Sequence, residues 1–168
     1  MEIVPKRFRD DRGFFSETYS ARNLPGTSFV QDNHSFSALP GTVRGLHYQI
    51  GAEAQDKLVR VVSGAIFDVA VDIRRSSPTF GRWVGLSLSA EEGNQIFVPK
   101  GFAHGFMTLT PDTEVLYKVS AYYSPTSERA IRFDDVEIAI NWPLPTETAV
   151  LSSKDADAPA FRNADTFP

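Results

Sequence analysis

The chain has 168 residues, enough for one domain over 1–168 with a sizeable core. Hydrophobic residues at 42% and charged residues at 23% make disorder a poor default, and a formal net charge of −4 argues against general nucleic-acid binding, which needs a dominant basic face. Cys is absent, which removes any disulfide framework, zinc ribbon or thiol nucleophile; the N-terminus MEIVPKRFRD lacks an apolar core, and no apolar run approaches a membrane span, so a cytoplasmic protein with no membrane role is expected.

In chain order, the first informative stretch is Phe29–Gln49. It sets Gln31, Asn33, His34, Arg44, His47, Tyr48 and Gln49 among apolar residues that read as strand. Directional polar groups are costly to bury without partners, so a strand carrying this many reads as a pocket wall. His47 stands out, because an imidazole is well poised for proton transfer near neutral pH. Arg44 and His47 are three apart, and strict alternation places them on opposite faces. A bulge at Gly45 would bring both into one cavity; without it Arg44 is a surface residue.

Next come Lys57–Val62 and Ile66–Ile73, β-branched and separated by Ser63-Gly64-Ala65, which reads as a hairpin turn. Further strands are expected at Trp83–Leu88, Gln95–Val98, Gly105–Leu109, Val115–Ala121 and Ala130–Phe133. Short helices are expected near Asp135–Ile140 and after Ser152. Period two groups Lys57 with Val59 and Val61, Tyr117 with Val115 and Val119, and Phe29 with Gln31 and Asn33. The bland alternatives are a Lys57 that snorkels from an edge strand and a Tyr117 that is an ordinary core tyrosine. Many short strands with 11 Gly and 11 Pro between them point to a sandwich, jelly roll or barrel.

The segment Pro99-Lys-Gly-Phe-Ala-His104 resembles the second conserved motif of cupins, which are double-stranded β-helix proteins. The position of the first motif offers Gly-Leu-His47-Tyr-Gln49, where a metal cupin has His-x-His and a following Glu. Few His without nearby carboxylates make a poor divalent-metal site, so no metal is expected.

Nine segments together resemble dTDP-4-dehydrorhamnose 3,5-epimerases. They are Phe29-Val-Gln-Asp-Asn-His-Ser35, Arg44-Gly-Leu-His-Tyr-Gln49, Lys57-Leu-Val-Arg-Val-Val62, Asp68-Val-Ala-Val-Asp-Ile-Arg74, Ser77-Pro-Thr-Phe-Gly81, Gly101-Phe-Ala-His-Gly-Phe106, Leu116-Tyr-Lys118, Tyr122-Tyr-Ser-Pro125 and Leu151-Ser-Ser-Lys-Asp155. The resemblance runs in order from Asp11-Arg-Gly-Phe14 to Asp155. It implies an all-β cupin jelly roll with a few short peripheral helices, needing no cofactor. The implied reaction is epimerisation of dTDP-4-dehydro-6-deoxy-D-glucose at C3 and C5, in dTDP-L-rhamnose biosynthesis. Alternatives are a C3-only or C5-only relative acting on a dTDP-4-keto-deoxysugar, a metal-dependent cupin, and a non-catalytic sugar-nucleotide binder.

The resemblance also implies roles. His47 is the base, Tyr117 the opposing proton donor, Asp155 the carboxylate that orients His47, and Lys57 the cation on the C4 oxygen. Arg12, Glu17, Gln31, Asn33, Arg44, His104, Glu128 and Lys154 contact the substrate, and Tyr123 stacks on the thymine. Arg12 and Glu17 lie on an N-terminal strand that in this family crosses to the partner of a homodimer; read without the family, Arg12 is a solvated turn charge. Asp68 either supports Lys57 or sits on a solvated face. The chain departs from many members in lacking a longer first segment, which implies an altered dimer edge, and in having Phe97 for Trp, which implies altered packing.

Overall fold

The computed structural model describes residues Met1–Pro168. Twelve strands run in chain order: β1 Glu2–Ile3, β2 Arg7–Asp10, β3 Gly13–Ser16, β4 Gln31–Ser37, β5 Val43–Gln49, β6 Lys57–Ser63, β7 Ala65–Asp72, β8 Trp83–Ser89, β9 Gln95–Val98, β10 Phe102–Thr108, β11 Thr113–Val119 and β12 Glu128–Ala130. One sheet has the order β1-β9-β6-β11-β4 and the other β12-β5-β10-β7-β8, while β2 and β3 pair only with each other. All named pairings are antiparallel. The two five-stranded sheets form the jelly roll expected of a cupin. The single α-helix, α1, is the short Ser153–Ala156, and no helix is long and apolar enough to cross a membrane.

Two apolar layers hold the sheets in place. Between them lie Val59, Val61, Ile66, Ala70, Leu88, Ile96, Val98, Phe106 and Val115. On the outer face of the second sheet Leu46, Tyr48, Val69, Val71, Ile73 and Ala103 pack under Ile131, Ile138 and Ala164 of the C-terminal segment. β7 is therefore buried on both faces, which is why its sequence is a nearly unbroken apolar run. Removing this much apolar surface from water is the main stabilising contribution, about 25 cal/mol per Å². The one interruption is Asp68, whose position between the sheets calls for a partner.

Three local expectations are corrected. Ser63-Gly64-Ala65 is not a hairpin turn, because β6 and β7 belong to different sheets and the chain crosses between them there. Gly64 takes φ +77°, and a Cβ on it would meet Thr110 and Thr113 at 2.5 Å. The strand expected at Ala130–Phe133 is β12, Glu128–Ala130; Ile131 still exchanges backbone hydrogen bonds with Leu46, and the chain turns at Phe133. Asp135–Ile140 is a turn and not a helix. The Asp135 carboxylate accepts the Glu137 and Ile138 N–H groups and, through its other oxygen, that of Phe161, while Ala139 sits at φ +52°.

Candidate active site

At one end of the sandwich the inner faces of both sheets turn polar and enclose a cavity of about 300 Å³. From the first sheet β4 supplies Gln31, Asn33 and Ser35, β6 supplies Lys57 and β11 supplies Tyr117; from the second, β5 supplies Arg44, His47 and Gln49, β10 His104 and β12 Glu128. Alternation along β4, β6 and β11 groups these residues as expected.

The bulge on β5 is present. His104 pairs with His47 and Phe106 with Arg44, so Gly105 alone spans Gly45 and Leu46. The extra residue returns Arg44 and His47 to the same face, and both line the cavity. Gly45 takes φ +128°, and a Cβ there would come within 2.5 Å of Gly105 Cα and 2.7 Å of the His104 carbonyl oxygen. Only glycine fits.

His47 Nε2 lies 2.5 Å from Asp155 Oδ1. Asp155 enters from α1, where the Ser152 hydroxyl donates to its Oδ2 at 2.7 Å. Burial pushes the Asp155 carboxyl up, but the hydrogen bonds from His47 and Ser152 outweigh it and hold the group below the ordinary carboxylate value. His104 Nε2 sits 2.9 and 3.0 Å from the two oxygens of Asp68, which is fully buried and thus not on a solvated face. Each imidazole in the cavity has its own carboxylate, and no three His, Asp or Glu side chains converge on a point where a metal ion could be held.

Lys57 is buried at 7% exposure on a central strand, so it does not snorkel from an edge. Its Nζ donates to the His47 carbonyl oxygen at 3.1 Å. Burial pulls the Lys57 ammonium down to about 8, against the opposing pull of the Asp68 and Glu128 charges. Burial likewise pushes the Tyr117 phenol up from its ordinary value; the Arg44 charge opposes this and the Glu128 charge adds to it. At neutral pH Tyr117 keeps its proton.

At the mouth, Tyr123 donates to Glu128 at 2.8 Å, and Lys154 pairs with the same carboxylate at 2.5 Å. Gln31 donates to Asn33 at 2.8 Å. Arg44 is anchored by its bond to the Phe36 carbonyl. Arg12 and Glu17 are not brought to this cavity within one chain. Arg12 lies on the β2–β3 turn, paired with Asp10, and Glu17 lines a different depression beside Tyr19 and Leu58. Phe97 is also outside the cavity, with its neighbours Ile96 and Val98 turned into the core instead. Ser35, Gln55, Phe106 and Ser152 line the cavity without having stood out in the sequence. For Ser152 a signal existed, since Ser-x-x-Asp is helix-capping spacing.

The profile of the dTDP-4-dehydrorhamnose 3,5-epimerase family matches residues 1–163. The chain belongs to this family. It is 53% identical to the dTDP-4-dehydrorhamnose 3,5-epimerase of Pseudomonas aeruginosa, over 98% of this chain and 92% of that one. Its fold matches the crystal structure of the Bacillus anthracis 3,5-epimerase with TDP and pyrophosphate bound, at 50% identity and a TM-score of 0.91 over 95% and 92% of the two chains. A Legionella pneumophila 3,5-epimerase in complex with dTDP-4-keto-L-rhamnose is 48% identical, with a TM-score of 0.92 over 98% and 88%.

Proposed function

We propose that this enzyme converts dTDP-4-dehydro-6-deoxy-D-glucose to dTDP-4-dehydro-L-rhamnose by proton removal and return at C3 and C5. The observation that carries the mechanism is the placement of His47 and Tyr117 on facing sheets of one cavity. A ketone at C4 acidifies the hydrogens on both neighbouring carbons. Inversion requires a base on one face of the ring and an acid on the other. His47, with one ring nitrogen bound to Asp155, uses the other to take the proton, and the Asp155 carboxylate stabilises the imidazolium that forms. The electrons of the broken C–H bond pass to the C4 oxygen, where the Lys57 ammonium stabilises the enolate. Tyr117 then protonates the carbon from the opposite face. Proton exchange with solvent returns both groups to their starting states before the second centre reacts. No step calls for a redox group or a metal.

Arg44 and Lys154 suit the diphosphate oxygens, Gln31, Asn33, His104 and Glu128 the polar groups of the sugar nucleotide, and the exposed ring of Tyr123 the thymine face. The functional unit is a homodimer in which the β2–β3 hairpin reaches the second copy and delivers Arg12 and Glu17. Supporting this, Phe8, Phe14 and Phe15 of that hairpin are exposed, the hairpin pairs with neither main sheet, and β4 ends its sheet with a free edge. A nucleotide-sugar substrate and a composition free of Cys favour the cytoplasm. The testing experiment is NMR of the substrate with the protein in D₂O. Deuterium at both C3 and C5 with formation of the L-rhamno product supports the reading, and exchange at one carbon alone makes it a mono-epimerase.

A further inference from the structure

Ser152 faces the cavity, yet its hydroxyl is fully committed to the protein. It donates to Asp155 Oδ2 at 2.7 Å and accepts the Asp155 backbone N–H at 3.2 Å. A serine has one hydroxyl proton, so none remains for a ligand. Asp155 is only 5% exposed, and a carboxylate that deep needs partners for both oxygens. Oδ1 has His47 at 2.5 Å and the Gly45 N–H at 3.4 Å. Oδ2 has Ser152 alone.

The local sequence explains the arrangement. Ser152 is the N-cap of α1 and Asp155 its third helical residue, the spacing of a capping box. In the usual box the acidic side chain reaches back to the N-cap backbone N–H. Here it meets the serine hydroxyl with one oxygen and turns the other toward His47.

We propose that Ser152 is a positioning residue that holds the Asp155 carboxylate aimed at His47, and that turnover at acid pH depends on its hydroxyl. This rests on the reading of His47 as the base oriented by Asp155. α1 packs against β5, which brings His47 to Asp155 and also carries Arg44, whose side chain is bonded to Phe36 and Ser37. Lys154 on the same helix is neutralised by Glu128, while His104, Lys57 and Tyr117 line the rest of the cavity. None of these donates to Oδ2. Loss of the hydroxyl therefore raises the Asp155 carboxyl, and the pair protonates at higher pH.

The test compares S152A, S152G and S152T with D155N, by the pH dependence of kcat and of KM. Gly serves as an N-cap almost as well as Ser whereas Ala does not, so the alanine and glycine variants differ in helix capping but share the lost donor. The acid limb of kcat should move up by about one pH unit in both, a tenfold loss on the acid side. KM should stay within about twofold, since no substrate contact is removed. S152T, which keeps a hydroxyl, should restore the wild-type limb. A limb that moves in S152A but not in S152G, in step with thermal stability, makes Ser152 a helix cap and overturns the proposal. An unmoved limb in both, with D155N strongly impaired, also overturns it. If D155N itself turns over normally, the reading of the His47–Asp155 pair has failed, and the proposal with it.

Discussion

His47 and Tyr117 look into one cavity from opposite sheets of the sandwich, the imidazole on β5 and the phenol on β11. A sugar ring held between two facing sheets would present one face to each, which is what inversion at carbon demands. The supporting groups divide the same way. Asp155 fixes His47 on one side, while burial keeps the Tyr117 proton in place on the other.

His47→Ala should lower kcat by about 10²–10⁴-fold, the usual contribution of a general base. Calorimetric titration with dTDP should show nearly unchanged binding, because the proposed nucleotide contacts are made by other residues. A folded His47→Ala protein with ordinary turnover would remove this residue from the mechanism.

Lys57→Met should raise thermal stability while nearly abolishing turnover. The wild-type amine drops from 10.5 to about 8 on burial, so keeping it charged at pH 7 costs roughly 3 kcal/mol of folding stability. Between those two values the unfolded chain binds the extra proton, so wild-type stability rises with pH from about 8 to 10.5. The advantage of the methionine variant should shrink across that window. Activity should move the other way, falling above about pH 8 as the ammonium is lost. Denaturant unfolding at several pH values checks the first trend, and a less stable methionine variant at pH 7 would contradict it.

Gly45→Ala should cost several kcal/mol and displace both Arg44 and His47, because the added Cβ meets backbone atoms of His104 and Gly105 and not a movable side chain. Chemical denaturation and steady-state kinetics measure the two effects. A stable, active alanine variant would show that β5 can close without its glycine bulge.

How far these residues were readable from sequence depended on the range of the interaction. Period-two alternation placed Lys57, Tyr117, Gln31 and Asn33 correctly, since side-chain direction in a strand is local. The Gly45 bulge was legible as an alternative, but its partner Gly105 lies on another strand. At Gly64, turn chemistry said that the chain reverses but not whether the next strand joins the same sheet; the sheet order settled that. Helical periodicity at Asp135–Ile140 was weak, and the carboxylate that makes it a turn binds the N–H of Phe161, 26 positions on. Asp68 was ambiguous because its partner, His104, is 36 residues away. The acid and base roles proposed for Tyr117 and His47 rest on the family resemblance; what the fold adds is that the two side chains line one cavity from different sheets.

The proposed sharing of the site between two chains is tested by complementation. Arg12→Ala and His47→Ala chains should each be impaired alone. In a mixed dimer, one cavity has an intact His47 from its own chain and an intact Arg12 from the other. Co-expressed chains should thus show activity well above either parent. No recovery in confirmed mixed dimers would place Arg12 in its own chain's site, or in none.

The two-face assignment is tested most directly by following Tyr117→Phe with the 4-keto sugar nucleotide in D₂O, measuring deuterium entry and inversion in the same NMR sample. With His47 intact, the enolate should still form and be reprotonated from the side it left. Solvent deuterium should then enter C3 and C5 much faster than inverted product appears, whereas the wild type should show the two together. Wild-type inversion by Tyr117→Phe would mean another group is the acid. Loss of exchange and inversion in equal measure would contradict the division of labour between the two sheets.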